Sequence, residues 1–426
     1  MTYKKFLEYI YKRHSGNVKL GLDRIHAILQ AMDNPNQKLT GIHIAGTNGK
    51  GSTAAICEAI LLEHGLSTGL NTSPHLIDYR ERIRLNGKNI KLDELMQTYK
   101  KWENTFEKYE ASFFEITTAM AFWQFYNNQV DASIFEVGLG GRLDGTRPFQ
   151  STVTVITSIS YDHTKSLGDT IEKIAFEKAG ILKNNTPLVL GNIPQNALQV
   201  ILKKTEKKDI PVQQVNKDFQ VSNIEVDNRG THFDFEDKDG SYENIYVNLI
   251  GKHQACNAAL AITACKIYLE KRNITPQIEK IRRGLSKVNW PGRMQILQQK
   301  PMVIIDGAHN EEGVKVLTSN LRSLFPNRKI YFVLAILRDK NLKVIIANIC
   351  QVSAKIFIAK NNSQRAAELE EQEKYVKQHK VPYQKIEDVV EATRTAIRQA
   401  NNDDVVMISG SLYTISEVLK HKKELF

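Results

Sequence analysis

Residues 42–52, I-H-I-A-G-T-N-G-K-G-S, constrain the fold more than any other segment of this 426-residue chain. Isoleucines at positions 42 and 44 flank His43 in the alternation of a short β-strand, and the apolar run 54–62 predicts a helix. The turn between them combines glycines, a lysine and a hydroxyl: Gly46, Gly49, Lys50, Gly51 and Ser52. A strand, a glycine-rich turn and a helix in this order indicate a phosphate-binding loop.

Three physical features of the loop suit phosphate. Glycines allow backbone N–H groups to point inward, the helix N-terminus adds partial positive charge, and Lys50 adds a full charge. The Ser52 hydroxyl is placed to reach a phosphate-bound Mg²⁺. The strict Walker pattern has glycine at position 44 and Ser or Thr at position 51, where this chain has Ile44 and Gly51. An ordinary glycine-rich turn is the alternative, and the strand-to-helix context favours the phosphate site.

Length and composition limit the remaining possibilities. A chain of 426 residues is too long for one hydrophobic core, so we expect two domains. At 42% hydrophobic and 25% charged residues it resembles a soluble globular protein, and no apolar run approaches the ~18 residues that cross a bilayer. The N-terminus lacks the apolar core of a signal peptide, and the cysteines are scattered without a C-x-x-C pair. We therefore expect a cytoplasmic protein with free thiols and no membrane partner.

The net charge of +11 favours acidic partners, such as a nucleotide, a nucleic acid or a polyanionic small substrate. Because acidic residues are interspersed with the basic ones along the whole chain, no nucleic-acid partner is expected.

Two N-terminal segments carry residues suited to a substrate. A glycine-containing interruption of the first helical pattern runs into K-L-G-L-D-R, residues 19–24, and either a substrate loop or a helix–helix connection explains it. Residues 80–85 alternate as a β-strand that would place three arginines on one face. They are Arg80, Arg82 and Arg84. The face would be an anion-binding strip or an ordinary solvated surface.

Polar residues follow two further predicted strands. Residues 132–137 form a strand that contains Glu136, a carboxylate in an apolar run, which needs a metal ion or a buried ion pair as partner. Residues 153–159 form a β-branched strand typical of a parallel sheet, and His163 follows it. Ligands of α/β sheets gather at the carboxyl ends of strands, so Glu136 and His163 are predicted to face the same phosphate-bound metal as Ser52.

The second half of the chain contains a segment of predicted β-strands, followed by a second α/β pattern. Residues 203–249 predict a β-hairpin subdomain, and W-P-G-R-M at 290–294 predicts a linker. Beyond it, predicted strands alternate with helices, which indicates a second parallel sheet, with strands at 302–305, 329–336, 355–359 and 405–408. The predicted domains are therefore 1–292, with the β-rich insertion at about 203–249, and 293–426.

Motifs along nearly the whole chain resemble the folylpolyglutamate synthase and dihydrofolate synthase family of the Mur ligase superfamily. They are A-G-T-N-G-K-G-S, S-P-H-L, E-V-G-L-G-G-R-L-D, S-I-S-Y-D-H-T, E-K-A-G-I, H-Q-A-C-N-A-A-L-A, W-P-G-R and D-G-A-H-N, in this order. The resemblance implies an N-terminal P-loop ATPase domain with a small β subdomain and a smaller C-terminal Rossmann-like α/β domain, with ATP between them.

The resemblance also implies roles for individual residues. ATP would be bound by Gly46, Thr47, Asn48, Gly49, Lys50, Gly51, Ser52, Asn257, Arg293, Asp306 and His309. Mg²⁺ would be bound by Ser73, Glu136 and His163, and the catalytic set would be Lys50, Lys178, His163 and Glu136. A carbamylated Lys178 would supply an anionic oxygen to a second Mg²⁺, whereas a surface lysine at a helix C-terminus is the simpler reading. Folate would be contacted by Arg24, Arg82, Phe114, Glu115, Asp144 and Gly145.

The reaction implied is ATP-dependent formation of an amide between a folate carboxylate and L-glutamate through an acyl phosphate, by a monomer. Many bifunctional relatives have L-D-A-T-N where this chain has L-D-G-T-R at 143–147, so the choice between reduced folate and dihydropteroate stays open. A dihydrofolate synthase or a bifunctional enzyme is the nearest alternative. A ligase of UDP-linked cell-wall precursors and a nucleotide-dependent switch or nucleic-acid ATPase are more distant ones.

Overall fold

The computed structural model describes residues 2–13 and 21–426. The chain divides into two compact units. Unit 1 comprises Met1–Asn223, Phe233–Val247 and Gln254–Val288, and unit 2 comprises Ile224–His232, Asn248–His253 and Asn289–Phe426. Within the described residues, no helix is long and apolar enough to cross a membrane.

The main sheet of unit 1 is mostly parallel. Its described strands are β1 Gly41–Ala45, β2 Thr68–Asn71, β3 Ile83–Leu85, β4 Lys88–Asn89, β5 Ala132–Glu136, β6 Val153–Ile156, β7 Leu188–Leu190 and β8 Val212–Gln214, in the order β4-β3-β2-β5-β1-β6-β7-β8. All neighbours from β2 to β8 in this order are parallel, and β3 and β4 continue the edge as antiparallel strands. The carboxyl ends of β2, β5, β1 and β6 therefore lie side by side.

Helices cover this sheet. They are α1 Tyr3–Lys12, α2 Asp23–Ala31, α3 Lys50–Glu63, α4 Leu92–Lys108, α5 Phe113–Asn127, α6 Thr164–Leu167, α7 Ile171–Lys178, α8 Gln195–Glu206, α9 Lys252–Lys271 and α10 Ile278–Lys287. One apolar cluster includes Phe6, Phe122 and Phe135, and a second includes Ile156 and Ile174. The near-continuous apolar runs of the central strands are explained by burial of every residue of β1, β5 and β6.

The predicted β-rich insertion is a three-stranded sheet with the order β11-β10-β9, formed by β9 Phe219–Val226, β10 Thr231–Asp237 and β11 Gly240–Val247. The predicted region began too early, because Lys203 belongs to α8.

Unit 2 contains a mixed sheet over residues 295–409, in the order β12-β13-β17-β14-β15-β16. Its strands are β12 Gln295–Gln299, β13 Met302–Ile305, β14 Ile330–Leu334, β15 Lys355–Lys360, β16 Tyr383–Asp388 and β17 Val405–Ser409. Its helices are α11 Glu311–Leu324, α12 Leu342–Cys350, α13 Leu369–Val376, α14 Val389–Gln399, α15 Leu412–Lys420 and α16 Lys422–Leu425. The α/β prediction is confirmed, with the correction that edge strand β12 runs antiparallel to β13.

The arginine strand predicted at 80–85 is wrong. Residues Tyr79–Arg82 form a 3₁₀ helix, and only Ile83–Leu85 continues as a strand. A capping box explains the difference: the Asp78 side chain accepts from the first turn while the Glu81 carboxylate accepts from the backbone N–H of Asp78.

Candidate functional site

The glycine-rich loop connects the end of β1 to the start of α3, as predicted. Gly46 has φ 151°, and a Cβ there would lie 1.9 Å from Thr157 Oγ1. Gly49 has φ 86°, and a Cβ there would lie 2.4 Å from Asn257 Oδ1. Since both positions combine positive φ with a close neighbour, only glycine fits them.

Residues that follow β6 hold this loop in place. The Thr47 N–H donates to the Ser158 carbonyl at 2.8 Å, and the Asn48 N–H donates to Ser158 Oγ at 3.0 Å. The Thr157 hydroxyl donates to the Asn48 carbonyl at 2.6 Å. Sequence reasoning missed Thr157 and Ser158, and the signal available for them was a pair of hydroxyls directly after a buried strand.

The N-terminus of α3 is suited to an anion. Within the described structure no side chain caps this helix, and its first turn contains no acidic residue. Its first N–H groups and its dipole therefore present partial positive charge at the loop. Ser52 lies in this first turn and is 3% exposed.

Two lysines approach the loop. Lys50 Nζ donates to the Thr47 carbonyl at 3.1 Å, and Lys178 Nζ donates to the Gly46 carbonyl at 2.7 Å. Lys178 is 5% exposed, so the simpler reading of it as a surface lysine is wrong. Burial, with a smaller effect of Lys50, lowers the pKa of Lys178 to about 7, against the opposing effects of Asp162 and Asp144. Lys178 is therefore a buried amine that loses its proton near neutral pH.

The predicted Mg²⁺ ligands follow three strands of the unit 1 sheet, β2, β5 and β6, of which β2 and β5 are neighbours and β1 lies between β5 and β6. Glu136 is the last residue of β5 and is buried, and the Ser73 N–H donates to its Oε2 at 3.1 Å. His163 follows β6, with φ 50° and a side chain that is 42% exposed. Among the described residues, no group of three or more His, Cys, Asp or Glu is arranged to hold a metal ion. The predicted set contains only two residues of those types, and the buried carboxylate beside a serine supplies the oxygen ligands that Mg²⁺ prefers.

Asn257 lies beside the loop within unit 1. It is 7% exposed, its Oδ1 faces Gly49, and its Nδ2 donates to Gln254 Oε1 at 2.9 Å. Asn257 is therefore a buried residue that lies against the glycine-rich loop.

Five of the six predicted folate residues form two groups, and Arg82 lies apart from both. In the first, Arg24 Nε donates to Glu115 Oε1 at 3.2 Å, and Glu115 also closes the capping box of α5 with Ser112. In the second, the Phe114 ring covers the segment that contains Asp144 and Gly145, since a Cβ at Gly145 would lie 3.1 Å from the ring. Positions 19 and 20 of the predicted substrate loop lie outside the described residues.

Asp144 is buried and accepts from the Thr146 hydroxyl at 2.6 Å and from the Leu139 N–H at 2.8 Å. Burial raises the pKa of Asp144, and these hydrogen bonds oppose the shift.

The three arginines do not form an anion-binding strip or a shared solvated face. Arg80 pairs with Asp78 at 2.8 Å and Arg84 pairs with the buried Glu58 at 2.9 Å. Arg82 is different, because its Nε donates to His75 Nδ1 at 2.7 Å and its guanidinium lies 4.8 Å from the centre of the Phe113 ring. Of the three, only Arg82 remains a candidate for substrate.

In unit 2, the predicted ATP residues surround the end of β13. Asp306 is 8% exposed and accepts from the N–H groups of Met294 and Ala308, each at 2.8 Å. Burial raises the pKa of Asp306, and Arg293 opposes this effect. His309 Nδ1 lies 2.8 Å from the Gly307 carbonyl, and a Cβ at Gly307 would lie 2.6 Å from Arg293 Nη1. The structure therefore brings Arg293, Asp306 and His309 together.

Family models match both parts of the chain. The Mur ligase middle domain matches residues 44–265, and the Mur ligase glutamate ligase domain matches residues 292–412. The chain is 37% identical over 430 residues to the dihydrofolate synthase/folylpolyglutamate synthase of Bacillus subtilis (strain 168), with 99% of each chain covered.

Solved structures of folylpolyglutamate synthases are also similar to this chain. Mycobacterium tuberculosis folylpolyglutamate synthase complexed with ADP superimposes with a TM-score of 0.93 at 30% identity, covering 98% of each chain. An FPGS–AMPPCP–folate complex superimposes with a TM-score of 0.89 at 30% identity, covering 100% of each chain. The chain belongs to the folylpolyglutamate synthase and dihydrofolate synthase family of the Mur ligases.

Proposed function

We propose that this protein is a folylpolyglutamate synthase, an ATP-dependent acid–amino-acid ligase that joins L-glutamate to the glutamyl carboxylate of a reduced folate. The main observation behind this proposal is the set of groups at the carboxyl ends of the central strands of the unit 1 sheet. They are the glycine-rich loop, two lysines and a buried carboxylate. Relatives that are named for this activity, and a related structure that holds both AMPPCP and folate, support the assignment.

In the reaction, a carboxylate oxygen of folate attacks the γ-phosphorus of ATP and ADP leaves. The acyl phosphate is then attacked by the amine of glutamate, which forms the amide and releases phosphate and a proton. Lys50 and the N–H groups at the start of α3 stabilise charge on the transferring phosphoryl group. Asn257 lies against Gly49 of the loop. Exclusion of water would protect the acyl phosphate from hydrolysis.

The metal assignment is part of the proposal. Ser73, Glu136 and His163 would hold a Mg²⁺ ion, which supplies neutralisation of phosphate charge when bound. The observation that supports it is the pairing of a serine with a buried carboxylate at one strand end, since the Ser73 N–H donates to Glu136 Oε2 at 3.1 Å and both side chains carry the oxygen atoms that Mg²⁺ prefers.

Carbamylation of Lys178 is also proposed. A pKa of about 7 leaves much of the amine unprotonated in neutral solution, which is the form that attacks CO₂. The product would be an anionic oxygen donor next to the phosphate-binding loop. Dialysis against CO₂-free buffer should lower the ligation rate, bicarbonate should restore it, and the intact mass should change by one CO₂.

The remaining assignments complete the proposal. Arg24, Arg82, Phe114, Glu115, Asp144 and Gly145 would contact folate, and Arg293, Asp306 and His309 would contact ATP. The domains would be 1–292 and 293–426. A monomer in the cytoplasm is proposed, and the cysteines of the described chain, which form no disulfide, support a reducing compartment.

A bifunctional enzyme or a dihydrofolate synthase is the second candidate, because the Bacillus subtilis relative carries both names. The deciding experiment supplies ATP and L-glutamate with either tetrahydrofolate or dihydropteroate and measures ADP release. Turnover of tetrahydrofolate alone supports the proposal, and turnover of dihydropteroate supports the alternative. ATPase activity that responds to DNA or RNA but to neither acceptor would overturn both.

A variant series tests the loop directly. Lys50→Ala should abolish glutamate-dependent ADP release without unfolding the protein, whereas the exposed Lys88→Ala should behave as wild type. Unchanged turnover by Lys50→Ala would refute the role of the loop lysine.

A further inference from the structure

A buried chain of hydrogen bonds in unit 1 links the middle of β1 to the segment that lies under Phe114. His43 Nε2 lies 2.8 Å from Thr146 Oγ1, and the Thr146 hydroxyl donates to Asp144 Oδ1 at 2.6 Å. His43 and Thr146 have no exposed surface, and Asp144 is 5% exposed. None of the roles proposed above for ATP, Mg²⁺ or folate uses His43 or Thr146.

The donors and acceptors along this chain have one consistent direction. A threonine hydroxyl has a single hydrogen, which Thr146 donates to Asp144, so its oxygen must accept from His43. The hydrogen of the neutral imidazole therefore lies on Nε2. His43 Nδ1 has no hydrogen-bond partner among the described residues. A hydrogen on Nδ1 would thus be a buried donor without an acceptor, and it would also break the bond to Thr146.

The imidazole of His43 is held neutral and in one orientation. Burial, with smaller effects of Lys183 and Arg147, lowers the pKa of His43. The Phe149 ring packs edge-on against the imidazole, with 5.8 Å between the ring centres and 77° between the ring planes. His43 is therefore a fixed hydrogen-bond donor and not a group that changes its charge during a reaction.

The chain fixes which oxygen of Asp144 faces the predicted folate residues. Oδ1 accepts twice from Thr146, from its hydroxyl at 2.6 Å and from its N–H at 3.0 Å. Oδ2 accepts from the Leu139 N–H at 2.8 Å. A Cβ at Gly138 would lie 3.3 Å from this Oδ2 and 2.5 Å from the Phe114 ring. Oδ2 and the ring of Phe114 therefore meet over Gly138.

Asp144 lies on the same side of the sheet as the glycine-rich loop. Leu139, which donates to it, follows the end of β5 at Glu136. Asp144 is also close enough to Lys178 to favour the charged form of that amine, against the larger effect of burial on its pKa. The carboxylate of Asp144 is therefore near the carboxyl ends of the central strands, where the proposed chemistry takes place.

We propose that His43 is a positioning residue for the folate substrate, and that it acts by holding the Asp144 carboxylate in place through the Thr146 hydroxyl. The inference rests on the proposed function, which places Asp144 against folate. Loss of the Nε2–H removes the donor that orients the Thr146 hydroxyl, so the carboxylate is held less firmly. Binding of folate should then weaken, whereas phosphoryl transfer, which depends on Lys50 and the glycine-rich loop, should not change.

Variants of matched size test the chain in the full-length enzyme, with the pterin acceptor that wild type turns over. Thr146→Val removes the hydroxyl but keeps the shape, and it should raise the KM for this acceptor about tenfold. Thr146→Ser keeps the hydroxyl and should stay near wild type. His43→Met should raise the same KM about fivefold. His43→Gln has the same length but carries an N–H near the position of Nε2, so it should recover most of the loss. The turnover number and the KM for ATP should stay within about twofold of wild type.

A double variant distinguishes action through Thr146 from an independent effect of His43. If His43 acts only through the hydroxyl, His43→Met with Thr146→Val should have the KM of Thr146→Val alone. His64→Met is the control, because His64 is another buried histidine, with Nδ1 2.8 Å from the Ile60 carbonyl and Nε2 accepting from the Gln277 N–H at 3.1 Å. The control should lower the midpoint of thermal unfolding without raising the KM for the acceptor.

Nitrogen-15 NMR of histidine-labelled protein tests the hydrogen bonds without measuring activity. The His43 signal, identified by its absence from His43→Met, should show a neutral ring with its hydrogen on Nε2. A ring with its hydrogen on Nδ1, or a charged ring in neutral buffer, would overturn the proposal.

A KM for the acceptor that rises in Thr146→Val and His43→Met, but not in Thr146→Ser or His64→Met, supports the proposal. Additive effects in the double variant, no recovery in His43→Gln, or lower thermal stability with an unchanged KM would overturn it and leave the ligase assignment standing. If the His43 variants do not fold, the two Thr146 variants and the NMR signal decide. If wild type turns over neither acceptor, the ligase assignment itself fails.

Discussion

Replacing Lys178 with methionine should stabilise unit 1 in acid while destroying its activity. Burial lowers the pKa of this amine from 10.5 to about 7, which corresponds to an upper limit of about 5 kcal/mol. Below the folded-state pKa the amine is charged in the folded and in the unfolded protein, and the folded protein is destabilised by the full free-energy cost of burying that charge. Between the two pKa values the unfolded chain keeps a proton that the folded protein has released, so wild-type stability rises with pH.

Methionine removes this cost but leaves the Gly46 carbonyl without its donor at 2.7 Å, a loss of about 1–3 kcal/mol. The Lys178→Met variant should therefore be about 2–4 kcal/mol more stable than wild type near about pH 6. Near about pH 10 most of the advantage is gone, and the variant should be equal or less stable. Ligation should be lost at every pH.

Tryptophan fluorescence can report on unit 1 alone. Trp102 and Trp123 lie in unit 1, so a Trp290→Phe background removes the signal of unit 2. Urea unfolding of both proteins in this background, in CO₂-free buffer so that Lys178 is a free amine, gives the stability difference at each pH. Lys207→Met, a substitution of an exposed lysine, is the control. A difference that does not change between acid and alkaline buffer would refute the reasoning that Lys178 is a buried, titrating amine.

Three further predictions concern the site and its support. Glu136→Gln should slow ligation about 100-fold, partly restored by high Mg²⁺, and a normal Mg²⁺ dependence would remove the residue from the metal site. Gly49→Ala should lower the free energy of unfolding by about 1–2 kcal/mol from its φ of 86° alone, and it should weaken ATP binding. Adding Asn257→Ala should relieve the collision between the new methyl group and Asn257 but not the backbone strain. An unaltered ATP affinity of Gly49→Ala would contradict this prediction. Arg84→Met should lower the free energy of unfolding in urea by about 3–5 kcal/mol, because it leaves the buried Glu58 without its ion-pair partner. The double variant Arg84→Met, Glu58→Met should recover most of this loss. A single variant as stable as wild type would show that the pair does not stabilise the fold.

The parts of the fold that the sequence predicted are those with a strong apolar signal. Strands β1, β5, β6 and β13 are buried along their whole length, so their runs of β-branched and aromatic residues were unmistakable. Strands β12 and β16 were missed for the opposite reason, because they are polar and only partly buried.

Local hydrogen bonding explains the other failures. Residues 80–82 alternate like a strand, but Asp78 and Glu81 cap a 3₁₀ turn, and side-chain-to-backbone bonds of this kind compete with strand pairing. The burial of Lys178 could not be predicted from its own segment of the sequence. Its helix looks amphipathic, and only the tertiary contact with Gly46 shows that its amine points inward.

The convergence of the site depends on strand order and register, which no single segment encodes. Strand β1 lies between β5 and β6, with Ile44 opposite Glu136 and Ala45 opposite Ile156. Glu136 therefore ends its strand beside the start of the glycine-rich loop, and Thr157 lies against Gly46. A slip of β5 by one residue would turn Glu136 to the other face of the sheet, so the hydrophobic pattern that fixes the register of the core also fixes the position of this carboxylate.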